Sequence, residues 1–238
     1  ALKNDGTVWT WGNGASGQLG NGSTAVSTTP VQAGSLGGIV SISAGYDHAV
    51  AMGSNNLGYV WGGNSRGQLC VANTVNYTSP VQIGIQVIAV SAGSYITTAL
   101  VRNGLNGDVY ACGANDVGQL GNGSTADSWA AVRITMGSLN VVALAAGSDH
   151  VLALNADGTV WAWGNNAAGQ LGVGTNVSSS VPVQVTGLTG IQGVAAGYRD
   201  SFSQNYLNAV SAWGNNSDGQ LGDTTTTNRW SPVSITLP

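Results

Sequence analysis

The chain has 238 residues, of which 42% are hydrophobic and only 7% charged, and its net charge is −4. It contains no Glu, and Lys3 is its only Lys. Without clustered Lys and Arg there is no surface suited to a phosphate backbone, so nucleic acid is not an expected partner.

Taken in order, the chain repeats one succession of elements. Asn4-Asp5-Gly6 is a hairpin turn signal. It is followed by a strand with paired aromatics, Trp9 and Trp11. Tyr59 and Trp61, and Trp161 and Trp163, stand in the same relation. A spacing of two places each pair on one face of its strand, facing the next unit. The third copy has Tyr110 with Cys112 and the fifth has Ser211 with Trp213, so those interfaces are expected to pack differently. A polar loop leads to a short outer strand at Pro30-Val31, Pro80-Val81, Pro182-Val183 and Pro232-Val233, with Ala131-Val132 in the third copy. Proline suits an edge because it donates nothing to a ladder. Short β-branched segments rich in small residues come next, at 39–44, 87–92, 141–146 and 191–196. They read as inner strands near a crowded axis. Each ends in an A-G turn: Ala44 to His48, Ala92 to Ile96, Ala146 to His150 and Ala196 to Asp200. A second strand leaves each turn, and Ala156-Asp157-Gly158 is another hairpin turn.

The most faithful stretch is W-G-N-G-A-S-G-Q-L-G, Trp11 to Gly20. It returns from Trp61, Cys112, Trp163 and Trp213, at steps of 50, 51, 51 and 50 residues. This period suits a four-stranded propeller blade. The position occupied by Gly14, Asn64, Asn115, Asn166 and Asn216 is expected to take positive φ, which Gly and Asn tolerate best. The Gly at 17, 67, 118, 169 and 219 marks a second sharp turn. The Gln that follows carries donors and an acceptor able to tie a loop together. The next Leu reads as core. The 37 glycines greatly exceed the roughly 17 of average usage, as a turn-dense all-β fold requires.

With A-G-x-x-H between copies, this motif resembles the regulator of chromosome condensation repeat, and the resemblance spans essentially the whole chain. It implies an all-β propeller of four-stranded blades, commonly seven of them, here as one domain over residues 1–238. Members of that family variously act as nucleotide-exchange factors, enzyme inhibitors and adhesive or scaffold domains. Five motif copies meet only four A-G turns. Ala1 enters at the end of a second strand and Pro238 follows an outer strand, so we expect part of a longer chain or larger propeller.

Candidate chemistry is sparse. His48 and His150 each follow an Asp, Asp47 and Asp149, and an Asp–His pair can orient a general base. An enzyme using either histidine is therefore one alternative. The resemblance instead gives these histidines a structural place in the blade. No nucleophile elbow, carboxylate pair or Cys/His ligand spacing is present, so no catalytic residue, metal or cofactor is expected. Gly12-x-Gly14-x-x-Gly17 matches a dinucleotide fingerprint by letter, but no helix pattern follows it. Cys70 and Cys112 read as two small buried apolar residues. A disulfide is open, because sequence supplies no Cα separation.

The A-G turns should gather at one mouth of the propeller, carrying Tyr46, Asp47, Tyr95, Ser148, Asp149, Tyr198, Arg199 and Asp200. Tyr beside Asp or Arg on rigidly held loops suits protein recognition. Trp129 and Trp230 precede outer strands and are candidates to anchor a neighbour; cover by their own loops is the alternative. The expected function is a non-catalytic binding or structural module for a protein or glycan partner, in an extracellular or cell-surface setting. A repeating assembly of copies joined edge to edge is a further alternative. No apolar run reaches the ~20 residues of a membrane span, so membrane insertion is not expected.

Overall fold

The computed structural model describes residues 1–103 and 106–236, and Pro238 lies outside them. It holds eighteen strands and no helix among the described residues. Four sheets have four antiparallel strands each, in sequence order. The second sheet comprises β3 (Ile39–Ala44), β4 (His48–Gly53), β5 (Leu57–Gly62) and β6 (Tyr77–Gln86). The third comprises β7 (Ala89–Ala92), β8 (Ile96–Asn103), β9 (Asn106–Gly113) and β10 (Ser128–Ile134). The fourth is β11 (Val141–Ala146), β12 (His150–Asn155), β13 (Val160–Gly164) and β14 (Ser179–Gln184). The fifth is β15 (Ile191–Ala196), β16 (Asp200–Asn205), β17 (Val210–Gly214) and β18 (Arg229–Ile235). The first sheet holds β1 (Trp9–Gly12) and β2 (Ser27–Gln32), with Leu2 bridged to Val8 across the Asn4-Asp5-Gly6 turn.

The innermost strands β3, β7, β11 and β15 neighbour one another in that order, and the ring they begin is open. The core is not a single mass. It lies in four apolar clusters, each between two successive sheets. The joint between the third and fourth sheets, for example, buries Ile96, Val109 and Leu120 against Val151 and Trp163. This follows from the alternation of the strands: both faces of an inner sheet meet a neighbour, so both must be apolar.

The recurrent motif residues make these joints. Leu19, Leu69, Leu120, Leu171 and Leu221 are all at most 2% exposed. Each motif Gln accepts, through its side-chain oxygen, the amide of the residue two before it. The Gly before that Gln has positive φ in every copy. The expectation of positive φ at the motif Asn is wrong: neither Asn64, Asn115, Asn166, Asn216 nor Gly14 adopts it. The asparagines serve through their side chains. Each Oδ1 accepts the amide of the motif Leu five residues on, at 2.9–3.0 Å. Each Nδ2 donates to carbonyls of the following loop. Fully buried, a side chain with two donors and an acceptor holds together a loop that has no ladder of its own.

Trp61, Trp163 and Trp213 are buried between sheets, as the paired aromatics required. Each indole donates to the carbonyl of the preceding repeat's motif Gln: Trp61 to Gln18 at 3.0 Å, Trp163 to Gln119 at 3.1 Å, Trp213 to Gln170 at 2.9 Å. Each ring also lies where a Cβ on Gly20, Gly121 or Gly172 would stand. The fifth copy therefore keeps this contact although Ser211 replaces the first aromatic of its pair. Trp11 is the exception: it faces no earlier sheet and is 55% exposed.

The third copy does differ, as expected, and the disulfide that the sequence left open is formed. Cys70 and Cys112 form a disulfide with Cα atoms 5.4 Å apart. Cys70 stands where the other copies have the Gly beneath the indole, and Cys112 stands where they have the indole. A covalent bond thus occupies the contact that Trp and Gly make elsewhere.

Candidate protein-binding mouth

The mouth is built from the A-G turns. Each turn closes with a backbone bond of 2.9 Å from its Gly amide to the carbonyl three residues on: Gly45 to His48, Gly93 to Ile96, Gly147 to His150, Gly197 to Asp200. Side chains are excluded at Gly45 and Gly147, where a Cβ would collide with the ring of His48 or His150. The carbonyl of the fourth turn residue (Asp47, Tyr95, Asp149 or Arg199) accepts an amide from the end of the third strand at 2.7–2.9 Å. The turns are also stitched to one another. The Tyr46 amide donates to Ser94 at 3.2 Å, Ser94 to Ser148 at 3.1 Å, and Ser148 to Tyr198 at 3.1 Å. The two middle turns are thereby held from both sides, and the outer two from one.

This brings the four turns around one shallow depression of about 290 Å³. Its rim carries Tyr46, Ser94, Ser148 and Tyr198, with Tyr46 75% and Tyr198 66% exposed. Tyr46 and Tyr95 meet across two sheets with ring centroids 5.6 Å apart, a favoured tilted pair. Asp47 accepts from Gln68 at 3.2 Å. Ser94 donates to Ser148 at 3.0 Å, which donates to Asp149 at 2.9 Å. The Arg199 guanidinium sits 5.3 Å from the ring centre of Tyr198. Burial pushes the carboxyls of Asp47 and Asp200 above the ordinary carboxylate range. The Tyr95 hydroxyl is also raised, first by burial and then by the nearby Asp47 carboxylate. With three carboxylates and one guanidinium, the cluster is acidic and aromatic.

The histidines are placed elsewhere. His48 and His150 are at most 2% exposed, beneath the turns. Nε2 of His48 lies 3.0 Å from Thr97 Oγ1, whose hydroxyl donates to the Gln68 carbonyl at 2.7 Å. Ser201 repeats this arrangement, 2.9 Å from His150 Nε2 and 2.8 Å from the Gln170 carbonyl. Because each hydroxyl has only one hydrogen to give, it must accept from the ring, so Nε2 carries the proton. Nδ1 is left without a partner in both rings. Burial lowers both histidines to about 4, which keeps them neutral. The Asp–His pairing that a general base would use is not formed: Asp47 is bonded to Gln68 and Asp149 to Ser148. Each histidine ties one sheet to the next. Among the described residues no group of three or more His, Cys, Asp or Glu could hold a metal.

The candidate residues therefore fall into two groups. Tyr46 and Tyr198 line the depression and Asp47, Tyr95, Asp149, Arg199 and Asp200 belong to the same turns without lining it, whereas Trp129 and Trp230 lie on the outer strands β10 and β18. Each of these Trp residues covers the loop glycine of the preceding repeat, Gly67 or Gly169, not its own loop. They are 54% and 46% exposed. Sequence reasoning passed over Ser94, which links two turns, because it saw each turn singly. Aligning the turns by repeat would have placed Ser94 beside Ser148.

A family model for the RCC1-like domain matches residues 1–238. The chain is 34% identical over 209 residues to the ultraviolet-B receptor UVR8 of Arabidopsis thaliana, covering 84% of this chain and 47% of the receptor. Prp20p of Saccharomyces cerevisiae superposes with a TM-score of 0.83 at 26% identity, over 100% of this chain and 61% of that one. Human WBSCR16 superposes with a TM-score of 0.86 at 23% identity, over 97% and 62%. The chain thus spans less than two thirds of each. Indole, Gln carbonyl and Gly recur at every joint but one, the sheets follow one another around an axis, and the match runs the full length: this chain belongs to the RCC1-like domain family.

Proposed function

We propose that this propeller domain is a non-catalytic binding module that receives a protein partner at its mouth. The observation that carries the reading is the convergence of four mutually bonded turns, which present exposed Tyr46 and Tyr198 above a fixed backbone. Rigid aromatic side chains beside carboxylates supply contact area at little entropic cost. The relatives support this class of function: the Prp20p structure is described with its binding to Gsp1p and histones, and yeast RCC1 was also solved bound to Kap60. Protein is favoured over glycan on the same ground. An oxidising, extracellular or cell-surface setting is supported by the disulfide and the low charge content. The test is cross-linking capture from the native source, comparing the wild type with Tyr46→Ala/Tyr198→Ala and with Trp129→Ala/Trp230→Ala. A partner lost only in the mouth variant supports the reading. A partner lost only in the outer-strand variant, or capture of glycan alone, overturns it.

A second reading, edge-to-edge assembly of copies, is favoured by one observation. Trp11 is exposed on the first sheet, and only Ile235 lies near the space above Gly222 on the fifth. These are the two halves of the contact made at the other joints. Sedimentation at increasing concentration, with Trp11→Ala as control, checks it; a monomer throughout removes it.

A further inference from the structure

We propose that the joint between the second and third sheets is under redox control, so that reducing Cys70–Cys112 loosens this joint alone and uncouples Tyr46 from Tyr95 at the mouth. At the other three joints an indole fills the space and bonds a Gln carbonyl. Here both contact residues are replaced together. Cys112, fully buried, takes the indole's place, and Cys70, half-buried, takes the place of the Gly. Cys70 even keeps that glycine's backbone, with φ of 59° against 67°, 69° and 70° at Gly20, Gly121 and Gly172. The apolar cluster of this joint contains no Trp, whereas Trp61, Trp163 and Trp213 anchor the other three.

Reduction requires two electrons and two protons. A dithiol supplies both and leaves as its own disulfide, and the S–S bond becomes two thiols. Two thiols do not fill what an indole fills, and neither reaches a carbonyl acceptor with comparable strength. What then remains across the joint is an apolar cluster without an indole, the Thr97 hydroxyl between His48 and the Gln68 carbonyl, the backbone bonds of Tyr46 to Ser94 and Ala72 to Trp129, the Ala92 amide on Ser43, and the ion pairs of Arg66 with Asp127 and Asp116. The Arg66–Asp116 pair is exposed and contributes little, while the bidentate Arg66–Asp127 pair is partly buried and is the stronger of the two. The same joint carries the Tyr46–Tyr95 ring contact and the bond from the Tyr46 amide to Ser94, so the mouth lies directly on it. The device does not depend on the mouth being the partner surface.

Hydrogen exchange with and without dithiothreitol tests this. The amides of Tyr46 and Ala72 cross this joint, bonded to Ser94 and Trp129, while Gly123 and Gly174 cross the next two, bonded to Ser180 and Trp230. Reduction is expected to speed exchange at Tyr46 and Ala72 about tenfold or more, with less than about a twofold change at Gly123 and Gly174. The double variant Cys70→Gly/Cys112→Trp restores the ordinary contact. Its indole is expected on the Gln68 carbonyl beside Thr97, as Trp213 sits beside Ser201 on Gln170. That variant should keep its protection in dithiothreitol. Three results would overturn the proposal: two free thiols before any reductant is added, thiols released with no change at Tyr46 and Ala72, or acceleration spread evenly over all the joints. The wild-type comparison decides even if the double variant fails to fold.

Discussion

Two joints of this propeller, with one other joint between them, reach the same end by different chemistry. Between the fourth and fifth sheets, Trp213 and Ser201 both donate to the Gln170 carbonyl, and His150 donates to Ser201. Between the second and third, Thr97 and His48 repeat the hydroxyl and imidazole, but the indole is gone. A disulfide and the charged pair of Arg66 with Asp127 and Asp116, at 2.5 and 2.7 Å, stand in its place. The first joint is held by burial, which is insensitive to electron donors and to salt. The second adds to a smaller apolar cluster a bond and a charge, which are sensitive to both. A repeat protein, in which each unit meets only its neighbours, can change one joint without disturbing the others.

The comparison can be broken joint by joint. Trp213→Ala removes a fully buried indole and its hydrogen bond, and is expected to cost about 3–5 kcal/mol, measured by denaturant unfolding and unchanged by reductant. Cys70→Ala/Cys112→Ala is expected to cost about 2–4 kcal/mol under oxidising conditions and nothing under reducing ones. That difference between conditions separates the two joints. Acid should strike both joints alike. The histidines titrate near 6.5 when unfolded and near 4 when buried. The unfolded chain therefore takes up protons first as pH falls. Stability is full above about pH 6.5 and is lost between there and pH 4, on the order of 1–3 kcal/mol for each histidine. Thermal melts across that range check it, and His150→Gln, which keeps a donor for Ser201, should flatten the slope. Arg66→Ala is the smallest change, about 1 kcal/mol or less and vanishing at high salt.

Much of the architecture was legible because the period was. The inner strands at 39–44, 141–146 and 191–196 match β3, β11 and β15, and the two hairpin turns lie where Asn-Asp-Gly and Ala-Asp-Gly put them. What repetition conceals is which positions of one copy touch which positions of the next. Asn64 and its equivalents were read as backbone-permissive residues, because Gly14 shares their column; their amide chemistry became visible only once the loop they bind was in place. Cys70 and Cys112 read as two small buried residues whose bonding stayed open. Only the knowledge that Gly and Trp meet between repeats turns two departures into one exchange. At the mouth, the residues were legible from the turns, but the Tyr46–Tyr95 pairing was not, since it belongs to two copies.

The indole contacts give the array a direction. At three of the four joints a ring from the later sheet enters a socket on the earlier one, and at the fourth a disulfide joins the same two positions. Because one rule serves successive joints, a further blade in such a row calls for no new chemistry.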